Sequence, residues 1–161
     1  DVPKNLDGSM PGDLGFDPFG FSNFISLTWL REAELKHSRI CMLAALGFLV
    51  QEFYKFPFYS PAPQLPVPAH DYFVKFGSLG QILFFTSAFE TVIGFPAILQ
   101  SMQGSPRKPG DFKFDPLGLG KTEQAFKRWS EVELTNGRLA MIAIGGFVHQ
   151  YWITKMGVVE Q

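Results

Sequence analysis

Apolar and polar positions along this chain follow a helical rather than a strand period, and three long segments emerge from the pattern. They run roughly from Asn23 to Tyr54, from Asp71 to Met102 and from Thr122 to Lys155. At 1.5 Å per residue each would be about 45 Å long, whereas a bilayer core is about 30 Å thick. Helices of that length would span the core tilted and project beyond it. Hydropathy does not decide the matter, because the uninterrupted apolar run of the first segment, Ile40 to Val50, is short for a span. Its N-terminal half carries Arg31, Glu32, Glu34, Lys36, His37 and Arg39, as a soluble amphipathic helix could. Two breaker-rich connections separate the segments, a Pro-rich one from Phe56 to Pro66 and a shorter one from Gly104 to Gly110. No repeated β pattern occurs.

Composition shifts the balance. The 161 residues include 18 Phe, 12 Pro and 16 Gly, more rings than a water-soluble domain of this size has interior to hide. Either the exterior is apolar or large apolar ligands share the interior. One domain with one core is expected over 1–161. A net charge of -1 without a basic block excludes nucleic acid as a partner class. The lone Cys41 reads as core packing, and Asp1 opens a polar stretch that reads as a mature N-terminus.

The strongest signal is an internal repeat. Glu34-Leu35-Lys36-His37-Ser38-Arg39-Ile40-Cys41-Met42 aligns with Glu133-Leu134-Thr135-Asn136-Gly137-Arg138-Leu139-Ala140-Met141 at an offset of 99 residues. The match extends to Glu32/Glu131, Ala44/Ala143, Gly47/Gly146, Phe48/Phe147 and Gln51/Gln150. With a one-residue shift, Phe16-Asp17-Pro18-Phe19-Gly20 matches Phe114-Asp115-Pro116-Leu117-Gly118. Each unit is thus a Phe-Asp-Pro turn followed by a long helix. Two like helices packed about an axis run in the same direction, and the middle helix supplies the return crossing. The expected fold is all-α, with three transmembrane helices and the first and third crossed as a pseudo-two-fold pair. The basic stretch Arg107, Lys108, Lys113, Lys121, Lys127 and Arg128 then shares a side with the N-terminus.

Positions three apart lie about 60° apart on a helix, so Glu34 with His37, and Glu133 with Asn136, each present two electron-pair donors on one face. Glu and Arg five apart make a poor internal pair, whereas a two-fold axis would pair Glu34 with Arg138 and Glu133 with Arg39. An arginine neutralises a membrane carboxylate and can leave one oxygen open to a metal. Helix-to-helix locking alone would explain the pairs without any ligand. Small residues at Ala44, Gly47, Ala140, Ala143 and Gly146 suit close crossing or flat grooves for long ligands. Asp17 and Asp115 suit turn entry, and their repetition also suits contacts with the ends of long ligands. His70 reads as a solvated loop residue, and Trp29, Trp129 and Trp152 as interfacial anchors.

The motifs Glu34-x-x-His37-x-Arg39, Phe114-Asp115-Pro116-Leu117-Gly118-Leu119 and Glu133-x-x-Asn136-Gly137-Arg138-Leu139-Ala140-Met141 resemble the light-harvesting chlorophyll-binding superfamily of plastids, across essentially the whole chain. The resemblance implies two long crossed helices with carotenoids braced in the cross. It implies chlorophyll axial ligands at Glu34, His37, Glu133, Asn136 and Gln150, and at Gln81 and Glu90 on the middle helix, with Arg39 and Arg138 closing the ion pairs. Asp17 and Asp115 become carotenoid-end contacts, and His149 competes with Gln150. The wording around Leu30 to His37 is most similar to red-lineage algal antennae, which implies chlorophyll a, chlorophyll c and xanthophyll carotenoids as cofactors. Implied partners are a photosystem core, photosystem I by preference, neighbouring antenna subunits and thylakoid lipids. The implied location is the plastid thylakoid membrane with a stromal N-terminus. The chain ends at Gln161, before the C-terminal amphipathic helix of plant members, so that helix's pigment is expected to be missing or held differently. An energy-dissipating pigment protein of the same fold is the alternative. A di-iron carboxylate enzyme is a distant one, since Asn136 replaces a needed His and arginines flank both carboxylates.

Overall fold

A computed structural model describes residues 5–159, and among them all regular structure is helical. Helix α1 spans Leu27–Phe53, α2 spans Pro66–Phe76, α3 spans Ser78–Phe89, α4 spans Phe95–Met102 and α5 spans Glu123–Thr154. A π-helical turn, Glu90–Gly94, joins α3 to α4, so Ser78–Met102 is one continuous helical run. Short 3-10 turns occur at Phe21–Asn23 and Pro57–Tyr59.

The first and third expected helices are found within a few residues of their expected bounds, but the middle one differs. It starts earlier, at Pro66, because a proline at the first helical position lacks only an N–H that would be unbonded anyway. His70 therefore stands on an exposed helical turn rather than in a loop. The helix then breaks at Gly77, whose left-handed backbone (φ 91°) caps α2 by giving its N–H to the carbonyls of Phe73 and Val74. The π turn has a local cause as well. Pro96 offers no N–H to the carbonyl four residues back, at Val92, and its ring crowds that turn, so the helix widens just before it.

The chain divides into two compact units. One comprises residues through Arg39 together with Pro96–Leu139, and the other comprises Ile40–Phe95 with Ala140 onward. In the first unit, α1 meets α5 where Ser38 faces Gly137. A Cβ on Gly137 would lie 2.3 Å from the Ser38 Cβ, so glycine is what permits this approach. In the second unit, Phe48 and Phe147 lie with ring centroids 6.0 Å apart, and Glu52 accepts the N–H of Val159 at 2.8 Å.

Among the described residues the buried hydrophobic side chains are only Leu35, Ala62, Ala69, Leu134 and Ala140. Large apolar side chains such as Phe84, Phe85, Phe114 and Ile153 are instead exposed. That is the reverse of a water-soluble interior and points to apolar surroundings. Ser78–Met102, 25 residues, is long and apolar enough to cross a membrane.

Candidate site: a clasped pair of helices with outward-facing donors

The first unit is built twice over. Gly12 and Gly110 both adopt positive φ, 69° and 75°, where an L side chain is strained. Each also lies under a leucine of the opposite repeat: an added Cβ would meet Leu134 Cδ2 at 2.5 Å or Leu35 Cδ1 at 2.5 Å. The carbonyl of Gly12 accepts from Arg138 Nη1 at 2.9 Å, and that of Gly110 accepts from Arg39 Nη1 at 2.8 Å. Each arginine then turns its Nε to the glutamate of the other helix, Arg138 to Glu34 Oε1 at 2.9 Å and Arg39 to Glu133 Oε1 at 2.7 Å. One guanidinium thus ties together a helix, its partner helix and the chain entering it. The glycines belong to Pro11-Gly12-Asp13 and Pro109-Gly110-Asp111, a pair at the same shift as the Phe-Asp-Pro turns that sequence reasoning passed over.

Two further features were not foreseen. Glu32, almost wholly buried, receives a two-pronged bond from Arg107, at 3.0 Å and 3.1 Å, and the Gly110 N–H at 2.6 Å. Arg107 also donates to Ser101 Oγ at 2.9 Å and to the Asp111 carbonyl at 2.9 Å, so the pair is buried with its bonds satisfied. Second, Arg31 donates to Glu34 Oε2 at 2.9 Å. Both oxygens of Glu34 are therefore engaged, whereas among the described residues no such bond reaches Glu133 Oε2. The expectation that each arginine leaves one carboxylate oxygen open describes Glu133 and not Glu34.

Two of the remaining sequence-predicted donors, His37 and Asn136, share one arrangement. His37 is exposed, and its Nδ1 lies 2.8 Å from the Ala33 carbonyl, which can only accept. In the neutral ring the proton then sits on Nδ1, and Nε2 keeps its lone pair. Asn136, also exposed, gives its side-chain amide N–H to the Val132 carbonyl at 2.9 Å, which leaves Oδ1 outward. Gln150 gives its amide N–H to the Gly157 carbonyl at 3.4 Å. Gln81 and Glu90 are exposed on α3 and at the start of the π turn.

Asp17 and Asp115 close turns. Asp17 accepts the N–H groups of Ser22 at 2.8 Å and Phe21 at 3.1 Å, and Asp115 those of Gly120 at 2.9 Å and Leu119 at 3.0 Å. The Ser22 backbone N–H, joined by that of Phe21, holds the Asp17 carboxyl below its ordinary range. The Gly120 N–H, then that of Leu119, does the same for Asp115.

Among the described residues no group of three or more His, Cys, Asp or Glu side chains gathers to hold a bare metal ion. Donors instead stand one at a time on exposed, apolar helix faces. A magnesium already held by a porphyrin-type ring would need one oxygen or nitrogen donor and a flat apolar wall, and the residues present fit that need.

A clasped helical repeat with single exposed donors on a largely apolar surface is what a pigment-binding membrane protein would need. The chain belongs to the family described as chlorophyll A-B binding protein, whose family model matches residues 2–152. It is 41% identical to a chloroplast fucoxanthin-chlorophyll a-c binding protein of Chattonella marina var. antiqua, over 98% of this chain and 74% of that one. It is 35% identical to light-harvesting complex stress-related protein 1 of Chlamydomonas reinhardtii, over 98% of this chain and 68% of that one. It is 33% identical to photosystem I chlorophyll a/b-binding protein 5 of Arabidopsis thaliana, over 98% and 70% respectively. This is a light-harvesting, chlorophyll-binding family, and these relatives are chloroplast proteins.

Proposed function

We propose that the chain is a single-domain antenna subunit that absorbs light and passes excitation to a photosystem core, photosystem I by preference. In this reading α1, the run Ser78–Met102 and α5 cross the thylakoid membrane, with the N-terminus stromal and α1 and α5 related by a pseudo-two-fold axis. Glu34, His37, Gln81, Glu90, Glu133, Asn136 and Gln150 are the axial ligands of chlorophyll magnesium. Asp17 and Asp115 lie near the ends of xanthophyll carotenoids, and chlorophyll a is joined by chlorophyll c. Neighbouring antenna subunits and thylakoid lipids complete the surroundings.

The observation that carries this reading is the crossed pair of ion pairs, Glu34–Arg138 and Glu133–Arg39, with an outward lone pair three residues after each glutamate. The clasp neutralises the charges that would otherwise oppose burial of α1 and α5 in lipid. Bound chlorophyll supplies light absorption. The protein's contribution is to fix each ring's distance and orientation and to exclude water from it.

The 41% identity to a fucoxanthin-chlorophyll a-c binding protein supports chlorophyll c and a xanthophyll here. The similarity to a stress-related light-harvesting protein favours a second reading, in which the bound pigments dissipate excitation. Pigment chromatography and an absorption spectrum of the purified chain test the first claim, and colourless folded protein would refute it. The chlorophyll fluorescence lifetime separates the two readings. A strongly shortened lifetime at neutral pH belongs to the dissipative one.

A further inference from the structure

We propose that His149 is an additional chlorophyll-binding residue, distinct from Gln150, and that it holds a pigment against the outer face of α5. The inference rests on the chlorophyll-ligand reading above.

The His149 side chain is exposed, and its Nδ1 lies 2.7 Å from the Gly145 carbonyl. A carbonyl only accepts, so Nδ1 carries a proton, and in the neutral ring Nε2 keeps its lone pair. This is the same lock, to the carbonyl four residues back, that His37 makes with Ala33. A neutral imidazole fixed in one tautomer with its second nitrogen open is the form that coordinates a metal.

The surroundings suit a flat apolar ring. At 100° per residue, Ile142, Gly145, Gly146, Trp152 and Ile153 all fall within about 60° of His149 around the helix axis. All of them are exposed. Helical side chains lean toward the preceding turn, so the imidazole leans over Gly145 and Gly146. A Cβ built on either glycine meets nothing within 4 Å, so neither serves packing among the described residues. Glycine inside a helix is destabilising relative to alanine, and here it leaves a bare wall beside the imidazole. Ile142, Trp152 and Ile153 border that wall with apolar surface, and the Trp152 ring stands edge-on to the imidazole at 5.2 Å.

Gln150 points elsewhere. One residue on, it lies about 100° around the helix and directs its amide to Gly157. The two side chains therefore face different surroundings and hold different rings.

The full chain would be reconstituted with chlorophyll a and a xanthophyll as wild type, His149→Leu, Gln150→Leu and the double variant, and chlorophyll per chain counted. Each single variant is expected to lose one chlorophyll and the double variant two. A wild-type count in His149→Leu would overturn the proposal, as would a double variant that loses no more than Gln150→Leu alone. A wild-type count accompanied by loss of oligomers would overturn it too, because the face would then belong to another protein helix.

Histidine-selective 15N labelling of the wild-type chain gives a readout free of folding effects, since the chain has three histidines. Two should show coordination-shifted Nε2 signals, assigned to His37 and His149, and His70 should not. If His37 alone shifts, the present proposal falls and the ligand reading stands. If none shifts and His37→Leu also keeps its full pigment, the ligand reading itself has failed.

Discussion

The two copies of the repeat answer the same structural demand with nearly the same parts. Gly12 and Gly110 offer the carbonyl, Arg138 and Arg39 take it, and Asp17 and Asp115 close the turn into the following segment. The copies part where each meets something the other lacks. Glu32 is buried against Arg107, whereas its counterpart Glu131 is exposed. Glu34 holds two arginines and Glu133 one. Position 31 is an arginine and its counterpart, position 130, a serine. The clasp comes from what repeats, and the individuality of each pigment site comes from what does not.

The largest effect is expected at the least symmetric contact. Glu32→Ala leaves the Arg107 guanidinium buried without its partner, and breaking a buried pair in that way costs about 3–5 kcal/mol. Glu131→Ala, at an exposed site, should stay within about 0.5 kcal/mol. Thermal unfolding of the pigment-loaded chain compares the two, and equal losses would dissolve the distinction between the copies.

Next comes the crossing point. Gly137→Ala puts a methyl 2.3 Å from the Ser38 Cβ, and overpacking of that kind costs about 1–3 kcal/mol. Ser38 and Gly137 are repeat counterparts, so Ser38→Gly in the same chain should restore much of the loss. A double variant no more stable than Gly137→Ala alone would separate the crossing point from the repeat.

A smaller change should expose the unequal carboxylates. Arg31→Ser releases Glu34 Oε2, while Ser130→Arg offers Glu133 a second cation. A charge-assisted bond of this kind is worth about tenfold in affinity once partial exposure is allowed for. The chlorophyll a concentration that half-fills the Glu34 site should fall severalfold in Arg31→Ser. The Glu133 site should move in the opposite sense in Ser130→Arg, as titration against the absorption spectrum would show.

The smallest effect concerns acid. Asp17 and Asp115 titrate below the ordinary value of 3.8 in the folded chain, so the folded state releases their protons more readily than the unfolded one. Their contribution is complete above the ordinary value and disappears as pH falls through the lowered one. Both entry turns should therefore hold at about pH 5 and weaken below about pH 4. Asp17→Asn and Asp115→Asn should remove that dependence about equally in an acid unfolding series.

Much of the arrangement was legible because charges repeat more distinctively than apolar residues do. The offset of 99 residues between Glu34 and Glu133 led directly to the swapped pairing with Arg138 and Arg39. The glycine carbonyls were missed, although Pro11-Gly12-Asp13 and Pro109-Gly110-Asp111 repeat at the shift of the turns beside them. Glu32 with Arg107 was harder to find. The two lie 75 residues apart, and the other copy has no such pair to betray them. The Gly77 break and the π turn before Pro96 were local signals in plain view, outweighed by the apolar run around them. Among the described residues hydropathy separated Ser78–Met102 alone, because α1 and α5 carry charges, those of the clasp among them.

The central claim is that His37 and Asn136 hold magnesium without taking any part in the glutamate–arginine pairs that clasp the helices. Counting chlorophyll per chain in His37→Leu and Asn136→Leu tests it most directly, since neither change touches an ion pair. One chlorophyll should be lost from each variant while the melting temperature of the helical fold shifts little. Full pigment in both variants would contradict the account.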